Sequence, residues 1–442
     1  MHTSITKRLQ RLTAAVLLLW LFAVPAASAM PAIQHWVTDN GTRVYFVAAP
    51  ELPMVNINVT FAAGSARDDG HAGVANMTST LLDMGAAGLS ADEIASRAES
   101  LGAELATGSA RDMAWVTLRS LSDAAYLQPA LKLLADVINR PDFNEKDFAR
   151  ERERTLVAIR RSEQSPATVA EYTFFSAVYG NHPYATRPGG TVESVGALQL
   201  EQIKAFYKRY YVARNAVFSI IGDLDRKAAG QLVEQVIAQL PAGKRAAALQ
   251  SVPVLTKAQE QHVYHPSTQT HVNMGAPGMH RGDPDYFALY VGNHVLGGGG
   301  LVSRLFEEVR EKRGLSYSVN SNFSPMEQNG PYMFSLQTRN DQVDESLVVM
   351  RETLQDFVDK GPTEKELIAS KKNITGGFPL RIASNSSILD YLTMIGFYDL
   401  PLDYLEVFND RVMAVTRAQI IDAFQRRVAP DTMVTIIVGG DS

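Results

Sequence analysis

Gln202-Ile203-Lys204-Ala205-Phe206-Tyr207-Lys208-Arg209 matches Gln419-Ile420-Ile421-Asp422-Ala423-Phe424-Gln425-Arg426, 217 residues further along the chain. Each copy leads into a β-rich run that closes on glycine, Val217-Phe218-Ser219-Ile220-Ile221-Gly222 and Val434-Thr435-Ile436-Ile437-Val438-Gly439. Upstream, Asn144-Glu145-Lys146-Asp147-Phe148 matches Thr363-Glu364-Lys365-Glu366-Leu367 at an offset of 219. Chance produces one such match; three at nearly constant spacing indicate a duplicated unit of about 210 residues.

The plan of one unit follows from its periodicities. Arg43–Val47 and Val55–Val59 alternate at period two and are expected to be strands. A helix is expected around Val74–Leu82. Ser90-Ala91-Asp92-Glu93 fits a capping box that opens a helix to about Leu101. A strand over Met113–Leu118, a helix near Ala124–Ile138 and a long charged helix over Glu145–Ser162 follow. The unit closes with a helix ending near Tyr211 and the strand Val217–Ile221. This is an α+β architecture of two homologous halves, each an antiparallel-rich sheet packed with helices. The Pro241–Pro253 stretch, rich in proline, glycine and small residues, marks the seam. The halves are then residues 30–245 and 246–442.

Composition narrows the class. The chain has 442 residues, 46% apolar and 20% charged, as expected for packed globular cores. The net charge of −5 and the lack of any basic run exclude nucleic acid as a partner. There is no cysteine, so disulfides, thiolate metal sites and cysteine nucleophiles are excluded and stability rests on core burial. At the N-terminus, Lys7, Arg8 and Arg11 precede the apolar run Thr13–Ala26 and the small residues Ala27-Ser28-Ala29. This pattern predicts a secretory signal peptide over 1–29, cleaved after Ala29. The apolar run falls short of the ~20 residues a spanning helix needs, which makes a retained anchor the lesser reading. An exported, periplasmic chain without membrane contact after cleavage is the expectation.

On the first helix of the first half stands Gly73-Val74-Ala75-Asn76-Met77-Thr78-Ser79-Thr80-Leu81-Leu82-Asp83-Met84-Gly85. Its frame resembles A-G-x-A-H-x-x-E-H-x-x-x-x-G of the insulinase/pitrilysin-family (inverzincin) zinc peptidases. In that family the two histidines and a downstream glutamate hold zinc, and the glutamate between them is the base for the metal-bound water. Here Asn76 and Thr80 occupy the histidine positions and Ser79 that of the base. Glu151-Arg152-Glu153-Arg154-Thr155-Leu156-Val157-Ala158-Ile159 resembles the family's E-R-x-x-x-x-x-E helix, with Ala158 in place of the third ligand. An amide, two hydroxyls and a methyl do not assemble a tight zinc site, so no metal or other cofactor is expected in this chain. Nor do the remaining histidines offer one. His71 precedes the helix, and His182 sits in a loop that resembles a structural one in the family. His262 and His265, three apart in an extended segment, face opposite ways beside His271.

The second half carries the closest likeness. Leu296-Gly297-Gly298-Gly299-Gly300-Leu301-Val302-Ser303-Arg304-Leu305-Phe306-Glu307-Glu308-Val309-Arg310-Glu311-Lys312-Arg313-Gly314-Leu315-Ser316-Tyr317 resembles the family's L-G-G-G-x-x-S-R-L-F-x-x-V-R-E-x-x-G-L-x-Y block. The resemblance implies that Arg310 and Tyr317 project toward the zinc of a facing half. Arginine is a permanently charged fork able to hold a peptide carbonyl. A tyrosine hydroxyl can donate to the oxyanion of a tetrahedral intermediate. Gly297, Gly298, Gly299 and Gly300 are expected to handle substrate. A phosphate loop is excluded, since the run continues Leu301-Val302-Ser303 without the Gly-Lys-Ser/Thr that such a loop needs.

The resemblance implies a non-catalytic Arg/Tyr-type subunit of a processing-peptidase-like two-chain enzyme, forming one side of a clamshell. Its partner is expected to be a homologous catalytic chain with H-x-x-E-H and zinc, and its substrate a peptide. The alternative is a non-enzymatic peptide-binding or scaffold protein of the same fold.

Overall fold

A computed structural model describes residues 32–440, so the signal peptide expected over 1–29 lies outside the described residues. The first half builds a six-stranded sheet from β1 (Gln34–Val37), β2 (Arg43–Ala48), β3 (Met54–Phe61), β4 (Glu104–Ser109), β5 (Ala114–Leu121) and β6 (Ala216–Gly222). The second builds a five-stranded sheet from β7 (Gln259–Tyr264), β8 (Ser267–Pro277), β9 (Ser316–Phe323), β10 (Pro331–Arg339) and β11 (Val434–Gly440). The orders are β1-β2-β6-β3-β5-β4 and β7-β11-β8-β10-β9. Strands β2, β6, β3, β5 and β4 therefore correspond in order to β7, β11, β8, β10 and β9. Each sheet has one parallel pair, β2 with β6 and β7 with β11, and is otherwise antiparallel. The duplication read from short sequence matches is thus a duplication of topology, with β1 added to the first copy. The central strand β6 is buried along its whole length, which is why it reads as a continuous apolar run; β5, nearer the edge, alternates.

The helices repeat as well. Five helices of the first half have counterparts in the second: α1 (Val74–Leu81), α2 (Ala124–Asn139), α3 (Glu145–Ser162), α4 (Pro166–Tyr179) and α5 (Leu200–Tyr210). Their counterparts are α6 (Tyr286–Asn293), α7 (Val343–Lys360), α8 (Glu364–Arg381), α9 (Asn385–Phe397) and α10 (Arg417–Arg427). The third sequence match now has a physical reason: Asn144 and Thr363 are the N-caps of α3 and α8, accepting from the backbone N–H of Asp147 and Glu366. Ser90 and Glu93 close the expected capping box on the helix Ala91–Ser100. Among the described residues no helix is long and apolar enough to cross a membrane.

Helix α4 is missing from the sequence plan, and it does not pack on its own sheet. Phe174, Val178 and Tyr179 join a cluster with Val434, Ile436 and Val438 of β11, in the other half. Helix α9 does the reverse: Leu389 and Leu392 pack with Val47, Ala49 and Ile221 of the first sheet. Gly396 allows that approach, because a Cβ there would lie 2.6 Å from the Tyr45 ring and 2.7 Å from Val217. The stretch 241–258 has no regular structure and is the seam in the chain. The seam in the packing is crossed by the two exchanged helices.

A polar knot fastens the same boundary. Asp112, only 3% exposed in the turn between β4 and β5, accepts from the Tyr184 hydroxyl at 2.7 Å and the Tyr398 hydroxyl at 3.0 Å. It also accepts from the Glu327 backbone N–H at 2.7 Å. Glu327 in turn pairs with Arg67 at 2.8 Å and accepts from the Leu249 N–H of the linker at 2.9 Å. Burial pushes the Asp112 carboxyl up, against the pull of its three donors.

Candidate functional site

Helix α1 begins after Gly73, whose φ of 97° lies in the left-handed region. Both oxygens of Asp68 cap it, accepting from the N–H of Gly73 at 2.8 Å and of Ala75 at 3.0 Å. This places the degenerate zinc positions. Asn76 donates to Ser109 Oγ on β4 at 3.3 Å. Ser79 is buried; its Oγ, like the Tyr211 hydroxyl, has no partner of hydrogen-bond geometry. Burial pushes the Tyr211 hydroxyl up, with Ser79 beside it acting the other way. Thr80 is half-buried, while Ala158 on α3 is exposed. The four positions therefore offer one amide already engaged, two hydroxyls and a methyl, and zinc does not fit them. Among the described residues no group of three or more His, Cys, Asp or Glu side chains could hold a metal ion. His182 is structural: its Nε2 donates to the Gln250 carbonyl at 2.9 Å, and its Nδ1 accepts from the Tyr184 N–H at 3.1 Å.

Next to this helix end, an open cleft of about 850 Å³ is lined by Asp83, Met84, Ile94, Leu105, Arg150 and Glu151 among others. Glu151 is buried and pairs with Arg150 and Arg154, both at 3.0 Å. Burial, with a smaller contribution from the Glu151 charge, pushes the Asp83 carboxyl up to about 6. An unfolded aspartate titrates near ~3.9. Between about pH 4 and 6 the folded chain thus keeps a proton that the unfolded chain has released, and stability falls as pH rises through that window. Asp83→Asn is expected to remove this part of the pH dependence and to stabilise the chain at pH 7 by up to roughly 3 kcal/mol. Urea midpoints at pH 4.5 and 7 check it; an unchanged difference between the two pH values would refute it.

The second half shapes its block differently. Helix α6 continues into a π-helical turn over His294–Gly298, and a second π-helical turn spans Phe306–Glu311. Two of the block's three arginines, Arg304 and Arg310, have different surroundings. Arg304 grips Glu366 with two N–H groups, at 2.6 and 2.8 Å, and also donates to the Gly361 carbonyl. Burial works against ionisation of Glu366, but Arg304 and the Thr363 N–H outweigh it and hold the carboxyl at about 2. Arg310 has no ion pair among the described residues. Its guanidinium lies between two rings, 4.6 Å from Phe306 and 4.4 Å from Tyr317. Gly314, at a φ of 64°, donates to the Arg310 carbonyl at 2.9 Å and ends the helix in a left-handed cap. That cap turns the chain into β9 and brings Tyr317, 82% exposed, back over Arg310. Strand β9 is the edge of its sheet.

The four glycines separate. Gly297 is buried, and a Cβ there would overlap Ser321 Oγ on β9. Cβ atoms on Gly298 and Gly299 would meet Asn293 and the His294 carbonyl. These three positions let the turn pack closely. Gly300, at a φ of 60° with nothing around its Cβ position, is the open one, followed by exposed Leu301 and Val302.

The sequence reading thus reached Arg310 and Tyr317 through their block, and the structure brings that pair together. It missed the Asp112 knot, whose members are far apart in the chain and carry no local signature.

Comparison with known proteins gives a consistent picture. Residues 43–191 match the family described as Insulinase (Peptidase family M16), and residues 197–374 match the Peptidase M16 inactive domain. The crystal structure of a peptidase M16 inactive domain from Pseudomonas fluorescens superposes with a TM-score of 0.90 at 39% identity, over 93% of this chain and 98% of that one. A Bacillus subtilis protein described as an uncharacterized zinc protease, YmxG, is 27% identical over 80% of this chain and 86% of its own. A Helicobacter pylori protein described as a non-peptidase homolog, also YmxG, is 26% identical over 88% of this chain and 89% of its own.

Proposed function

This chain belongs to the insulinase (M16) family of peptidases, and on that premise we propose that it is the zinc-free subunit of an exported, periplasmic two-chain metallopeptidase. The observation that carries this reading is the Arg310–Tyr317 pair, an unpaired guanidinium stacked on an exposed phenol at a sheet edge. A lone structural arginine would be expected to find a carboxylate, as Arg304 does. Arg310 instead keeps its N–H edges free for a peptide carbonyl, and the Tyr317 hydroxyl can donate to an oxygen that gains charge. Neither group can activate water, and Asn76, Ser79, Thr80 and Ala158 cannot hold the metal that would.

The missing part belongs to a homologous partner with H-x-x-E-H, whose zinc supplies the activated water. This chain's share is to hold the peptide with Arg310, to donate from Tyr317 and to present the open turn at Gly300. Export rests on the Lys7, Arg8 and Arg11 cluster, the apolar run after it and the small residues ending at Ala29. A second reading, a non-enzymatic peptide-binding or scaffold protein, is favoured by the Helicobacter relative's description as a non-peptidase homolog.

The test is co-expression with a homologous H-x-x-E-H chain. Alone, the mature chain is expected to retain no zinc after mild chelation and to cleave nothing. The pair is expected to co-elute, to hold zinc and to cleave an unstructured peptide. Stoichiometric zinc in the lone chain, or a pair no more active than the H-x-x-E-H chain by itself, would overturn the proposal.

A further inference from the structure

We propose that the seam between the halves contains a binding site for a small dianionic oxyanion of the phosphate class. A cavity of about 380 Å³ lies there, lined by Arg43, Arg67, Arg245, Arg281, Glu327 and Asp399 among others. Four guanidiniums face two carboxylates, and both carboxylates are already engaged. Asp399 is shared by Arg43 and Arg245, the latter at 2.7 Å. Glu327 is taken by Arg67 and by the Leu249 N–H. Arg281 has no carboxylate partner among the described residues; its guanidinium carbon lies 5.7 Å from the centre of the Tyr398 ring.

Two further observations show how crowded the guanidiniums are. The Nε atoms of Arg43, Arg67 and Arg281 are each buried without a hydrogen-bond partner, enclosed by protein and turned away from the cavity space. The cations are also crowded: burial lowers the Arg43 pKa, and the charge of Arg245 lowers it further. Asp399, the shared counter-charge, sits at a φ of 52°, a conformation uncommon outside glycine and stored where surrounding structure enforces it.

Two unmatched positive charges set the ligand's charge near ~−2, and arginine forks match tetrahedral oxyanions in geometry. The residues come from β2, the turn after β3, the linker and the segment before α6, so an anion would touch both halves and the chain that joins them. It would favour the closed seam by mass action, because the unfolded chain lacks the site.

The experiment titrates inorganic phosphate into the mature chain at constant ionic strength, with chloride as the balancing anion. Calorimetry and the melting temperature are the readouts. Saturable one-site binding is expected, with a rise in melting temperature that chloride does not produce. Arg281→Gln, which breaks no ion pair, is expected to weaken binding about tenfold or more. Arg245→Gln, at a half-exposed position, serves if the first variant folds poorly. Arg119→Gln, on the surface beside Glu104, is expected to leave binding unchanged. Absence of saturable binding, or equal affinity in Arg281→Gln, Arg245→Gln and Arg119→Gln, would overturn the proposal. No peptidase activity enters the readout, so the result is independent of the two-chain reading.

Discussion

Replacing Arg310 by Ala together with Tyr317 by Phe is expected to lower kcat/KM of the paired enzyme by about 10²–10³-fold. The estimate is that for removing a preorganised donor from a developing oxyanion, with the loss of the carbonyl clamp added to it. The fold should be indifferent to the change. Tyr317 is largely exposed and Arg310 makes no ion pair, so what is lost within the chain is ring stacking worth on the order of 1 kcal/mol. The single variants separate the roles. Tyr317→Phe should act mainly on kcat, since a group that strengthens its bond only in the transition state leaves KM alone. Arg310→Ala should raise KM as well, because a carbonyl is held before reaction begins. A double variant with unchanged kcat/KM would leave the scaffold reading standing and remove the catalytic one.

The second large effect is structural. Asp112→Ala deletes the acceptor for two tyrosine hydroxyls and a backbone N–H, all at the boundary between the halves. Leaving such donors buried and unpaired costs about 3–5 kcal/mol, against a total stability of about 5–15 kcal/mol. The urea midpoint should fall accordingly. Tyr398→Phe, which removes one donor and leaves the acceptor with two others, should cost only about 1 kcal/mol. If Asp112→Ala were as mild as Tyr398→Phe, the knot would not be what fastens the seam.

Most of each half can be read from the sequence because the signals are local. Asn144 and Thr363 announce helix starts, the alternation in Met54–Phe61 announces a strand, and the Leu296–Tyr317 block carries the Arg310–Tyr317 pair at fixed spacing. Even the turn that joins that pair is visible, as Gly314. What stays hidden depends on which surfaces meet. Periodicity shows that a helix buries a face, but not which sheet covers it, so nothing in Pro166–Tyr179 reveals that Phe174 packs on β11. Arg43 and Asp399 are 356 residues apart and form an ion pair without a motif to announce it. The glycine run was ambiguous for a related reason: close packing and ligand contact both call for a missing side chain, and only the position of Ser321 tells them apart.

The helix exchange also governs when this protein can fold. A ribosome that has made everything through β6 has supplied all six strands of the first sheet. Yet Val47, Ala49 and Ile221 stay uncovered until Asn385–Phe397 has been synthesised. The second sheet has its cover, α4, early, but waits for β11, the last strand, before Phe174 has its apolar neighbours. Neither half can therefore complete itself as a nascent chain. Both close late, through contacts of very long sequence separation, and loop-closure entropy makes such folding slow. The first half can pack its own large core between Val44 and Leu240 early, but its second face stays bare until α9 arrives, so the last step of folding is the closing of one half on the other.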